Sequence, residues 1–210
     1  MNSFESARSK LLAVSKNKRD YDAALKEWEY FGNFHDNGIS AAECQLCGQQ
    51  HIRYEFEIVN RHNENTLLVG SECITKFGIT VFDDYGNKIT GKSARSRVAG
   101  DKRKLVANAQ TQSVINSLLA LASKDSDFKI HDFIRYYQER GAFTPRQLSL
   151  LMWRLKAQKV PHNKAHFKLT IKRDREKHDL LRLEDFKLQQ IMPCLSASQR
   201  VWLERNGRGI

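Results

Sequence analysis

From residue 52 onward, Ile52, Tyr54, Phe56 and Ile58 alternate with Arg53, Glu55 and Glu57, the period-two pattern of a half-buried strand. The polar stretch NRHNEN at 60–65 predicts a turn, and Leu67 with Val69 a returning strand, so a β-hairpin is expected here. The pattern on either side is helical. Phe4, Leu11, Leu12, Val14, Leu25, Trp28 and Tyr30 recur among Ala, Lys and Glu, which predicts an N-terminal helical segment over 1–40, broken at KNKRD and stopped by GNFHDNGIS. Beyond the hairpin, Leu105, Ala109, Ile115, Leu118, Leu119 and Ala122 predict one helix. Ile130, Phe133, Ile134 and Tyr137 predict another, ended by Gly141.

Two later helix starts are marked by their polar residues. Thr144, Pro145 and Gln147 have the spacing of a capping box with proline in the first turn, ahead of the apolar stripe Leu148, Leu151, Met152 and Leu155. Ser196 and Gln199 repeat the box ahead of Val201, Trp202 and Leu203. Between them HFKLTIKR places Phe167, Leu169 and Ile171 on one strand face and Lys168 and Lys172 on the other, with DREKHD as a turn, so a second hairpin is expected near 165–184. The expected class is α+β, predominantly helical.

Cysteines sharpen the picture around the first hairpin. Cys44 and Cys47 stand in CQLCG before it and Cys73 in VGSEC after it, where Ser71 can cap a short helix carrying Cys73. A Cys-x2-Cys corner and a helix start then face each other across the hairpin root, as in a treble-clef or zinc-ribbon module. Thiolates are soft ligands, and zinc takes four of them, or a mixture with imidazole, in a tetrahedron. The fourth donor is open: His51 follows Cys47 closely, His35 can return from the preceding loop, and His62 sits at the far turn of the hairpin. Cys194 reads as a buried core thiol beside Leu195. Two reduced thiols at a turn are the plain alternative for Cys44 and Cys47, and a redox pair would ignore Cys73.

Charge separates two kinds of work. The chain of 210 residues carries a net charge of +11. Residues 1–40 balance, residues 41–90 hold four Lys+Arg against seven acids, and residues 91–210 hold 25 against 11. Capture of a polyanion therefore belongs to the later region. Residues 91–104, GKSARSRVAGDKRK, read as an exposed basic connector, with Arg95, Arg97, Lys102, Arg103 and Lys104 as phosphate-contact candidates; a solvated linker is the alternative. Lys168, Lys172, Arg173 and Arg175 form a second set along the expected strand. Tyr136, Tyr137, Trp153 and Trp202 are candidates for base stacking, or for packing a core. No apolar run approaches the roughly 20 residues that span a bilayer, and MNSFESARSK lacks the apolar core of a secretory signal. These features place the chain in a cytoplasm, where cysteines serve as ligands or core thiols rather than disulfides.

The string CxLCG…IRYxFxIxN…LxVGSxCIxKF, from Cys44 through Phe77, resembles small zinc-binding modules in uncharacterised proteins of phages, plasmids and other mobile elements. The resemblance covers about one sixth of the chain. It implies Cys44, Cys47 and Cys73 as ligands and Gly48 and Gly70 as backbone-shaping residues; for a product of such an element, a host cytoplasm is the alternative setting. The expected organisation is an N-terminal helical segment (1–40), a zinc-binding hairpin module (41–90), the basic connector (91–104) and a basic helical region (105–210). The expected function is a non-enzymatic nucleic-acid-binding accessory protein, acting on DNA or RNA in replication, recombination, transcription or defence of a mobile element. An adaptor or inhibitor gripping a host or viral replication or transcription protein is the alternative. Catalysis is the weakest reading: there is no HExxH or deaminase signature, and Asp83/Asp84 and Asp174/Glu176 do not form an evident cluster for a hard cation.

Overall fold

The computed structural model describes residues 3–208. It divides after Ala109 into two compact units, and about 54% of it is helical, beside a small mixed sheet. The class is α+β and mostly helical, as expected. Among the described residues no helix is long and apolar enough to cross a membrane.

The first unit opens with helices α1 (Ser3–Val14) and α2 (Tyr21–Leu25), separated at the expected break. The chain then leaves the helical pattern earlier than expected. Trp28–Tyr30 is a strand, β1, and Phe34–Asp36 a second, β2. Trp28 and Tyr30 therefore lie in the sheet and not on a helix. A triplet such as WEY satisfies either period, and long-range pairing decides: Trp28 and Glu29 face Asn60 and Val59 of β3 (Tyr54–Asn60), and Glu29 and Tyr30 face Thr80 and Val81 of β5 (Thr80–Phe82). β3 also pairs with β2 and, as the expected hairpin, with β4 (Thr66–Val69). After β4 come helix α3 (Ser71–Lys76), β5, and β6 (Lys88–Ile89), which pairs with β5. The β1–β5 pair is the parallel one in an otherwise antiparallel sheet.

Buried polar groups tie the first helix to this sheet. The Trp28 indole donates to Ser15 Oγ at 2.8 Å, and Ser15 in turn donates to the Leu11 carbonyl. Glu27, 5% exposed, accepts from Asn60 Nδ2 and from the backbone N–H groups of Lys16 and Asn17 at 2.7–2.8 Å. Burial alone would raise the Glu27 carboxyl, but these three donors outweigh it and hold the group below the ordinary carboxylate range. A carboxyl lowered by folding contributes its stability above its unfolded value of about 4.3 and loses it as the pH falls through the folded one. Glu27→Gln should therefore lower the urea midpoint at neutral pH, and the gap to the natural chain should narrow only as the pH falls below about 4.3 and through the lower folded value.

Residues 91–104 are the largest departure from expectation. They are not a connector but the opening turns of α4 (Gly91–Lys124), 34 residues long. Val98, Asp101 and Leu105 fall at helical spacing and are buried, and Val98 and Leu105 join the first unit's core with Phe56, Ile58, Ile74 and Val81. The buried acid is answered across the unit: the Tyr30 hydroxyl donates to Asp101 Oδ2 at 3.0 Å, and Arg97 Nε makes an ionic contact with the same oxygen at 2.9 Å. Gly32, at φ +97°, leaves the room that the Arg97 guanidinium occupies; a Cβ there would collide with it.

The second unit packs the rest of α4 with α5 (Ile130–Arg140), α6 (Pro145–Ala157), α7 (Asp174–Leu181), α8 (Asp185–Ile191) and α9 (Ala197–Arg205). Its core holds Val114, Leu118, Leu121, Tyr137, Phe143, Leu151, Leu155 and Phe167. Gly141 caps α5 in the left-handed region, and Thr144–Gln147 and Ser196–Gln199 form both capping boxes. The hairpin expected near 165–184 does not form. Phe167 and Leu169 point into the core as an alternating strand would, but the backbone of this segment is satisfied elsewhere. Phe143 exchanges hydrogen bonds with Lys168 and Thr170, Gln199 Nε2 donates to the Leu169 carbonyl at 2.8 Å, and Asp174 starts α7.

Candidate metal centre and cationic surfaces

The Cys-x2-Cys corner is built by its own backbone. The Gly48 N–H donates to the Cys44 carbonyl at 2.8 Å and the Cys44 N–H to the Gln49 carbonyl at 2.9 Å, with Gly48 at φ +78°. Gln45 pins the corner to β4: its N–H reaches the Leu68 carbonyl, and its side-chain oxygen accepts from the Leu68 N–H. β4 then delivers Gly70, which caps α3 in place of the expected Ser71, the helix's first residue. Ile74 and Phe77 anchor α3 in the core and leave Cys73 against the corner.

Three thiols meet there. Cys73 Sγ lies 3.2 Å from Cys47 Sγ and 3.5 Å from Cys44 Sγ, and all three sulfurs fall within 4.8 Å of one another. All are free, and the spacing is far beyond the ~2.05 Å of a disulfide. It is close to the edge of a tetrahedron with metal–sulfur bonds of ~2.3 Å, which is about 3.8 Å. The cluster can hold a metal ion. The Gly70 N–H donates to Cys44 Sγ at 3.3 Å. The Cys73 thiol, the first of its partners, and the backbone N–H groups of Cys47, Gly70 and Leu46 hold the Cys44 thiol below its ordinary value against the effect of burial. Cys73 is pushed up by the proton it shares with Cys44 and by burial. The backbone donors at Cys44 favour its thiolate form, which a metal ligand requires.

Among the described residues no fourth His, Cys, Asp or Glu joins this group. His51 is exposed, with its backbone in the left-handed region at φ +61°. His35 is exposed on β2 opposite Glu55, and His62 follows β3 at the hairpin turn. Cys194 lies in the core of the second unit, where burial pushes its thiol up to about 11. The three cysteines open onto a cleft of about 490 Å³ whose walls also carry Arg53, Tyr54, Glu72, Lys76 and Lys102.

The cations named from the sequence divide by their surroundings. Arg95, Lys102 and Arg103 are exposed on α4. Arg97 is committed internally, 2.6 Å from Asp84 and in contact with Asp101, and Lys104 leans on Asp101 at 3.4 Å. In the second unit Lys168 and Arg175 are exposed. Lys172 and Arg173 line a cleft of about 240 Å³ together with Arg140, Tyr136, Thr170, Gln199 and the buried Glu176. Among the described residues none of these three cations is in an ion pair. Arg140 was not named from the sequence; it lies more than 30 positions from Lys172, and only the packing of α5 beside the 169–173 segment reveals it. Of the aromatic candidates Tyr137 is buried, whereas Trp153 is 52% exposed and, with Leu150 and Phe186, flanks a separate groove.

No protein-family model, no curated protein and no solved structure matches the chain. The fold and its cysteine cluster define an α+β, mostly helical protein with a three-thiol site able to hold a metal.

Proposed function

We propose that this is a non-enzymatic nucleic-acid-binding accessory protein whose first unit is a zinc-stabilised, treble-clef-like module. The order of corner, hairpin and helix supports the module, and a soft three-thiol set favours zinc over a hard cation. The observation that carries the binding role is the second unit's cleft, where Arg140, Lys172 and Arg173 stand beside the Tyr136 ring. Among the described residues none of the three cations is ion-paired, and Glu176, the one acid in the lining, is engaged by the Thr170 hydroxyl and the Arg173 N–H, so the guanidinium and ammonium groups can meet phosphate oxygens while the adjacent ring offers a face to a base. Exposed Arg95, Lys102 and Arg103 extend the basic surface in the first unit.

Such binding weakens with salt because cations displace condensed counterions. Fluorescence anisotropy of the zinc-loaded chain with single-stranded DNA, duplex DNA and RNA across a salt series tests it. Arg140→Ala, Lys172→Ala and Arg173→Ala together should lower the slope of log K against log salt by about 2–3, with zinc content unchanged. An unaltered slope would remove the cleft as the contact, and no binding to any probe at low salt would remove the reading.

A second reading, an adaptor for a protein, is favoured by the groove of about 340 Å³ lined by Leu150, Trp153, Leu183 and Phe186, with Arg146 and Lys187 at its edge.

A further inference from the structure

We infer that the metal held by Cys44, Cys47 and Cys73 takes its fourth ligand from outside the chain, as a thiolate entering through the adjoining cleft. The inference rests on the zinc reading above and goes a step further, to how the site is completed.

The donors come first. A closed structural zinc site uses four protein ligands, whereas three with one position left over is the arrangement of an exchangeable site. The first unit supplies three sulfurs, and among the described residues neither His35, His51 nor any carboxylate joins them. Access comes second. Cys44 and Cys73 are buried and Cys47 is half-buried, yet all three line one cleft, so the cluster is sealed on its core side and open on the other. Its volume, about 490 Å³, admits a cysteine side chain or a small thiol.

Charge and softness select the ligand. A divalent ion with three thiolates carries one net negative charge, and a fourth thiolate makes it two. Arg53, Lys76 and Lys102 line this cleft, the Arg53 charge shared with Asp36 at 2.7 Å and the Lys76 ammonium lying over the Phe77 ring. Glu72 is the one acid in the lining. This surplus of cations offsets the added charge, and zinc with three sulfurs prefers a further soft donor to a carboxylate. A metal held by the three cysteines would accept the incoming sulfur at its fourth position in exchange for solvent, the thiol giving its proton to solvent, with nothing oxidised or reduced. Lys102 belongs to the same basic stretch of α4 as Arg95 and Arg103, so occupation of the cleft and contact with a polyanion draw on neighbouring charges.

The test uses the full chain with cobalt(II) in place of zinc, read by metal content and by its thiolate charge-transfer and d–d bands. About one metal per chain should bind, and mercaptoethanol should raise the charge-transfer intensity by about a third, the step from three thiolates to four. His35→Ala and His51→Asn, the latter chosen because asparagine tolerates the left-handed backbone, should keep both the starting spectrum and the response. Lys102→Glu should keep the metal and weaken the thiol response several-fold. A short peptide with a single cysteine, added instead of mercaptoethanol, separates the sources: response at lower concentration than the small thiol assigns a partner's cysteine, and response to mercaptoethanol alone assigns a small thiol. Bands that ignore both thiols, or a starting spectrum changed by either histidine variant, would overturn the inference while leaving the metal site standing. A chain that binds no metal would instead refute the zinc reading beneath it.

Discussion

A chain carrying Cys73→Ser should purify without zinc and lose the fold of its first unit. Structural zinc supplies an apparent binding free energy on the order of 10 kcal/mol, as large as the whole stability of an ordinary domain. Here the ion would join the corner at Cys44–Cys47 directly to the start of α3, two segments otherwise linked by the hairpin, the Gln45–Leu68 hydrogen bonds and the shared core. Amide hydrogen exchange is the direct readout: protection should vanish across β1–β5 and persist in α5, α6 and α9, whose core is built from other residues. Cys194→Ser, the same chemical change in the second unit's core, should leave zinc content untouched. Retention of zinc by Cys73→Ser would reject the three-thiol frame.

Asp101→Ala should be the most damaging substitution that spares the metal. Asp101 is 1% exposed and answers the Tyr30 hydroxyl and the Arg97 guanidinium at once. Removing it leaves the buried Tyr30 hydroxyl without its acceptor and the largely buried Arg97 guanidinium with exposed Asp84 alone, a loss of about 3 kcal/mol. Burial, the largest cause holding the Tyr30 hydroxyl above its ordinary pKa, persists in the variant and opposes relief of the gap by ionisation. The urea midpoint should fall with zinc still bound. Arg97→Ala should share part of this cost, and the double variant should cost less than the two singles combined, because both break one network. Arg95→Ala, exposed on the same helix, should leave stability within about 0.5 kcal/mol. That contrast separates two arginines which the sequence places two positions apart.

The elements legible in the chain were those whose causes are local. Thr144, Pro145 and Gln147 write a helix start within four residues, and the structure places it there. Cys44, Cys47 and Cys73 were legible as a group because a turn and a hairpin root, both local, bring them together, with the core packing of Ile74 and Phe77 holding α3 in place. The misread elements depend on distant partners. Trp28 and Tyr30 become strand residues through Val59, Asn60, Thr80 and Val81. The start of α4 looked like a linker because glycine, serine and charge dominate it, and its key buried residue is an aspartate paired with a tyrosine 71 positions away. At Leu169, alternation was present, but Phe143 and Gln199 took the hydrogen bonds that a neighbouring strand would need. Arg140 escaped notice for the same reason, since a cation's role depends on which segment packs beside it.

The parallel β1–β5 pair carries a consequence for the order in which the first unit is made. β1 lies between β3 and β5, so a chain emerging from the ribosome cannot finish its early strand until Thr80–Phe82 has appeared. The corner, the hairpin and α3 are complete once Lys76 has been synthesised. All three thiols are therefore assembled by neighbours in sequence before the sheet closes. The metal site can serve as the early seed on which the older part of the chain later folds back.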